Sequence, residues 1–207
     1  MEGCATVSEG CRHCWSARES HARKHQKNEK IQARYEGLTD EAGQWTGRIR
    51  FMSQNLSLPL RVRKPTRWAI WNDLFHEDVS DERLDEAFAV ILACQTLANI
   101  PSHTFMMLTK RAERLHRYFS IEPATLLKRW AEAGAGWILM NDPDGLFSDY
   151  IASLTCHDWD SEGISVSGSE YRPWGHLKEL WPLPKLWLGV TVESPDYLWR
   201  VDALRQI

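Results

Sequence analysis

Apolar positions along this chain recur on two periods, and the change from one period to the other marks out the elements. Between Ser80 and Ala98, Leu84, Phe88, Ile91, Leu92 and Gln95 return at a spacing of about 3.6 residues, which predicts an amphipathic helix. Ser80 is placed to cap its start, and Asp81 and Glu82 complement the positive end of its dipole. Short apolar runs closed by polar or turn residues predict strands at Arg48 to Ser53, Arg67 to Trp71, His103 to Thr109 and Leu186 to Val192. Helices are expected at Ala112 to Phe119 and Pro123 to Ala133, with a last one over Asp196 to Ile207. Trp15 to Arg34 is different. Its thin apolar stripe of Trp15, Ala22 and Ile31 runs through Lys, Arg, His, Gln and Glu, so a single, largely hydrated helix is predicted.

Continuous apolar strands alternating with helices indicate a parallel sheet covered by helices, and so an α/β fold, either a barrel or a doubly wound sheet. Gly134 to Pro184 breaks the alternation. It is rich in Gly, Asp, Ser and Pro, and reads as an irregular insertion with short strands at Trp137 to Met140 and Ile164 to Val166. Cys94 lies beside the stripe of the long helix and reads as core, as do the strand tryptophans Trp68, Trp71, Trp137 and Trp187. In a parallel fold the strand C-termini share one rim, where reacting groups gather. Asn72, Asp73, Thr109, Lys110, Arg111 and Glu193 all follow predicted strands and are therefore expected around one pocket.

The length, 207 residues with 43% hydrophobic, suits one domain with a substantial core. A net charge of -3 argues against a generally basic nucleic-acid binder but leaves room for a local basic face. No apolar run approaches the roughly 18 residues of a membrane span. Met1 is followed by the cysteine loop and then by charged sequence instead of the apolar core of a signal peptide, so a cytoplasmic protein is expected.

Chemistry concentrates at the N-terminus, where Cys4, Cys11 and Cys14 stand in a C-x6-C-x2-C pattern followed by Trp15. Three thiolates can hold three irons of a four-iron four-sulfur cluster and leave the fourth iron open, whereas a structural zinc site takes a closed set of four ligands. A zinc module is the competing reading: Cys11, Cys14, His21 and His25 give C-x2-C-x6-H-x3-H, with both histidines on one helical face. That reading leaves Cys4 without a role, and its middle gap is shorter than the roughly twelve residues of common fingers. Arg18, Arg23, Lys24, Lys27, Lys30 and Arg34 give residues 18–34 a basic face suited to nucleic acid or an acidic partner, although most such runs are simply hydrated. His76, beside Glu77 and Asp78, suits either a proton carrier or a capping turn, and His157 with Cys156 is too close in sequence to chelate alone.

Four blocks then carry a resemblance. Gly3-Cys4 to Val7-Ser8-Glu9-Gly10-Cys11-Arg12-His13-Cys14-Trp15, then Asp73 to Val79, then His103-Thr104-Phe105 with Leu108 to Arg114, then Trp187 to Glu193 resemble, in order, the blocks of the phage-associated three-cysteine-motif family of radical-SAM-like proteins of unknown activity. The first cysteine gap is longer than in radical-SAM enzymes, and His13 stands where they usually place an aromatic. The resemblance implies a partial TIM-like (β/α) barrel, with residues 1–36 as cysteine loop and basic helix, residues 134–184 as insertion, and C-terminal strands missing from an incomplete domain of 1–207. It also implies a cluster on Cys4, Cys11 and Cys14 that binds S-adenosylmethionine and passes one electron to its sulfonium. Lys110 or Arg111 would pair with the methionyl carboxylate, and Asp73 or Glu193 would accept from the ribose hydroxyls.

Overall fold

The computed structural model describes residues 1–96, 100–138 and 181–207. The chain opens with a two-residue strand β1 (Glu2–Gly3), a 3-10 turn at Glu9–His13, and helices α1 (Trp15–Lys24) and α2 (Glu29–Tyr35). Strand β2 (Ile49–Arg50), a 3-10 turn at Ser53–Asn55 and helix α3 (Leu58–Arg61) lead into β3 (Arg67–Ile70). Next come α4 (Asp81–Thr96), β4 (Thr104–Thr109), α5 (Ala112–Phe119) and α6 (Pro123–Ile138). Strand β5 (Leu186–Val190), a 3-10 turn at Pro195–Tyr197 and α7 (Trp199–Leu204) complete the described chain.

Strands β3, β4 and β5 form one parallel sheet in that spatial order, with Trp68, Phe105 and Leu186 in register. Parallel neighbours need crossovers. Here α4 joins β3 to β4, and α5 and α6 lie between β4 and β5. The mixed α/β architecture is thus as read from the sequence, but among the described residues the sheet is open and three-stranded, not a closed barrel, which takes eight such units. Three further expectations are corrected. The strand over Arg48 to Ser53 shrinks to β2 and pairs antiparallel with β1, outside the parallel sheet. Gly3, at φ +88°, makes this pairing feasible: a Cβ there would lie 2.1 Å from the Arg48 carbonyl oxygen. The single basic helix divides in two, because the Asn28 carboxamide accepts from the backbone of Lys30 and Ile31 and starts a new helix. Helix α6 runs to Ile138, so the strand expected from Trp137 begins as helix; its remainder, and the strand at Ile164 to Val166, lie outside the described residues.

The main core lies on one face of the sheet. Phe105 and Met107 of β4 meet Leu84, Phe88, Ile91 and Leu92 of α4 and Leu126, Leu127 and Trp130 of α6. Apolar residues are buried around most of α4, including Ala89, Val90, Ala93 and Cys94, because sheet and helices flank it on several sides. Burial pushes the Cys94 thiol up to about 12, as expected of a core cysteine. Phe88 centres an aromatic cluster, stacking on Trp130 at 5.0 Å and Tyr118 at 5.4 Å and meeting Phe119 edge-on. The polar ends are satisfied in series: the Trp130 indole donates to the Tyr118 hydroxyl at 2.7 Å, and that hydroxyl donates to Asp85 at 2.6 Å. Arg129 in turn donates two hydrogen bonds to Asp85. A second, smaller core of Ala17, Tyr35, Leu38 and Trp45 carries the N-terminal helices.

The other face of the sheet carries exposed apolar residues. Leu108 is 66% exposed and Trp187 56%, so Trp187 is not the core residue that its strand position suggests.

Candidate functional site

The polar residues after the three parallel strands meet at one rim, and the cysteine loop lies on it. Parallel strands bring this about, since β3, β4 and β5 all end on the same side. After β3, the Asn72 carboxamide accepts from the Ser16 hydroxyl at 2.8 Å and donates to the Met1 carbonyl at 3.2 Å, tying the strand end to α1 and the N-terminus. Asp73 accepts from the Thr109 hydroxyl at 2.7 Å, the Phe75 and Lys110 backbones, and the Arg111 guanidinium at 2.9 Å. One carboxylate therefore joins the ends of β3 and β4.

Arg111 is 6% exposed and reaches in three directions: to Asp73, to Glu77 at 2.7 Å and to the cysteine loop. There it lies 3.8 Å from the Cys4 sulfur and donates to the Ala5 carbonyl at 3.5 Å. Burial opposes its charge, but hydrogen bonds to Glu77 and the charge of Asp73 raise its pKa on balance. Lys110 donates to the Ser8 hydroxyl at 3.0 Å and to Glu193 at 3.1 Å, while the second Glu193 oxygen accepts from Arg200 at 2.9 Å. Burial works against the Glu193 charge, yet hydrogen bonds from Ser8 and Lys110 hold its carboxyl below the ordinary range. The loop presses close here: a Cβ on Gly10 would sit 3.0 Å from the Lys110 ammonium and 3.1 Å from the Glu193 side chain.

All six strand-end residues thus contact one another or the segment around the cysteines. Their cations are already paired, so an anionic ligand at this rim would have to exchange for Asp73, Glu77 or Glu193. Ser8, Ser16 and Arg200 complete the network; only a fold shows their roles, because Ser8 and Ser16 look like ordinary loop and helix residues.

The three thiols differ in setting. Cys4 and Cys14 are half-buried against the small core, and Cys11 is buried within 3.7 Å of the Ser8 hydroxyl. Burial pushes the Cys4 thiol up, with Arg111 pulling against it. Burial also raises the Cys11 thiol, but hydrogen bonds at Val7 and Ser8 and the charge of Lys110 outweigh it, and the net direction is down. The loop thus brings three thiols to the sheet rim, with Arg111 beside Cys4 and Lys110 beside Ser8. Among the described residues, no three Cys, His, Asp or Glu side chains converge closely enough to hold one ion. The set of Cys11, Cys14, His21 and His25 is not gathered either. His21 meets His25 ring to ring at 4.9 Å and shares a hydrogen bond with Thr39 at 3.2 Å.

The basic face is partly consumed by structure. Arg23 pairs with Glu19, Lys24 donates to the carbonyls of Thr39 and Asp40, and Arg34 pairs with Glu2. Arg18, Lys27 and Lys30 stay exposed. Cys156 and His157 lie outside the described residues, and no helix among those described is long and apolar enough to cross a membrane.

His76 is 3% exposed beneath the rim, where its Nδ1 accepts from the Asp78 backbone and its Nε2 has no partner among the described residues. Burial, helped by the charge of Arg111, lowers its pKa, so the fold holds the ring neutral. Stability tied to that neutral ring is fully present above the unfolded histidine pKa of about 6.5 and is lost as pH falls through the folded value. Urea denaturation of the wild type and His76→Gln is therefore expected to show a smaller loss between pH 7 and pH 5 in the variant; parallel pH profiles would refute this.

Comparison with curated proteins and with solved structures gives no match. A family model described as a protein of unknown function (DUF5131) matches residues 1–207.

Proposed function

The chain belongs to this family of unknown function over residues 1–207, and we propose that it is an iron-sulfur protein of the radical-SAM-like kind. In this reading Cys4, Cys11 and Cys14 hold a four-iron four-sulfur cluster, and the fourth iron is left for S-adenosylmethionine. The observation that carries it is the seating of a three-thiol loop on the C-terminal rim of a parallel sheet, the end of such folds where ligands bind. When bound, such a cluster supplies an electron to a sulfonium ligand at its open iron.

The chain's own residues do the rest. Arg111 beside Cys4 and Lys110 beside Ser8 place positive charge where thiolates and an anionic cluster need it. Lys110 or Arg111 can bind an amino-acid carboxylate by releasing Glu193 or Asp73, and the released carboxylates are then free to accept from ribose hydroxyls. Thiolate ligation of this kind suits a reducing cytoplasm, in a bacterial or phage-encoded protein.

Anaerobic reconstitution with iron and sulfide tests the reading. The wild type is expected to take up about four irons and turn brown, and Cys4→Ala to lose both iron and colour. A colourless protein with one zinc that survives Cys4→Ala would instead assign the zinc module of Cys11, Cys14, His21 and His25.

A further inference from the structure

Beside the cysteine loop stands an indole that the fold holds in place yet leaves in water. Trp15, next to Cys14, is 62% exposed, and its ring stacks on Trp71 at 5.4 Å with the planes 9° apart. Trp71 is fixed in turn. It precedes Asn72, which is bonded to Ser16, and the Arg23 guanidinium lies 4.7 Å over its ring, anchored by Glu19 and the Tyr35 hydroxyl. With Trp15 stacked, among the described residues, on Trp71 alone, this exposure leaves indole surface open to a further planar ring.

The charges around it set the kind of ring. Arg18 follows Trp15 by three residues on α1, which makes the two side chains neighbours on the helix surface. Arg18 is exposed and forms no ion pair among the described residues, and Arg12 and His13, also exposed, lie just before Cys14. A flat apolar surface with an exposed arginine one helical turn away matches a base attached to a phosphate. An apolar peptide would use the indole but not the arginine.

We propose that the Trp15–Trp71 stack is a nucleobase platform, with Arg18 as phosphate contact, for a single-stranded nucleic acid. This names a substrate class for the cysteine-loop site and in that role rests on the reading above, although binding itself requires no cluster. The overall charge of -3 confines the contact to this local patch.

Fluorescence anisotropy of the full chain with a short labelled oligothymidylate tests it, with thymidine monophosphate as competitor. The wild type is expected to bind, with quenching of tryptophan emission. Trp15→Ala should weaken binding about tenfold or more, while Trp15→Phe keeps most of it. Arg18→Glu, at an exposed position, should weaken binding and flatten its dependence on salt. Competition by the monophosphate at equal affinity would assign the same platform to a free nucleotide. Affinity unchanged in both Trp15→Ala and Arg18→Glu, or no binding of either ligand by the wild type, would overturn the proposal. Cys4→Ala is expected to bind as the wild type does, so platform and cluster are judged separately, one by anisotropy and the other by iron content.

Discussion

Replacing Arg111 with alanine is expected to lower stability by about 3–5 kcal/mol, the range for removing one partner of a buried ion pair. Arg111 and Asp73 are 6% and 9% exposed, so the carboxylate left behind has little access to water. Asp73 would keep only the Thr109 hydroxyl and the backbones of Phe75 and Lys110. For a chain of this length the melting temperature should fall by about 6–20 °C, at roughly 2–4 °C per kcal/mol. Arg111→Lys keeps the charge but not the planar fork that serves Asp73, Glu77 and the loop together, and should recover only part of the loss. A thermal melt of the three proteins checks this, and an Arg111→Ala midpoint within a degree of wild type would refute it. The same variant removes the guanidinium that favours the Cys4 thiolate, so under native conditions alkylation of Cys4 should slow.

Trp130→Ala should be about as damaging, at about 3–5 kcal/mol, through packing instead of charge. The indole is 0% exposed, stacks on Phe88 and touches Phe119 and Trp181. Its loss opens a cavity where α4 meets α6, and the Tyr118 hydroxyl keeps its bond to Asp85 but loses its donor. Trp130→Phe retains a ring without the N–H and should recover most of the stability; the missing hydrogen bond leaves a deficit of about 1 kcal/mol. Urea denaturation measures both. Equal stability of Trp130→Ala and wild type would mean that this cluster does not hold the two helices together.

Much of this arrangement can be read in the sequence, for identifiable reasons. Elements with a strong period and a clear stop are legible: β4 ends at Thr109 where its apolar run ends, α5 matches its expected bounds, and β3 and β5 fall within theirs. Shared strand direction then suffices to bring Asn72, Asp73, Thr109, Lys110, Arg111 and Glu193 together. Who pairs with whom is not legible, since the Lys110–Glu193 and Arg111–Asp73 contacts join residues distant in sequence. The break at Asn28 could have been found, because an asparagine followed by Glu29 is an N-cap signal that the surrounding helix formers obscure. Exposure of Trp187 could not, as a strand pattern says which residues share a face but not whether anything covers that face.

The two separate cores divide the molecule energetically as well as spatially. Cys4 and Cys14 pack against Ala17, Tyr35, Leu38 and Trp45, while the parallel sheet rests on the much larger cluster around Phe88. A small unit tied to the rest through a few rim bonds can open on its own, so amides of α1 and α2 should exchange with solvent well before those of β4 and α4. Any ligand held by the thiols would then draw its binding energy from closing this unit and would slow exchange there first, leaving the sheet as a fixed floor beneath it.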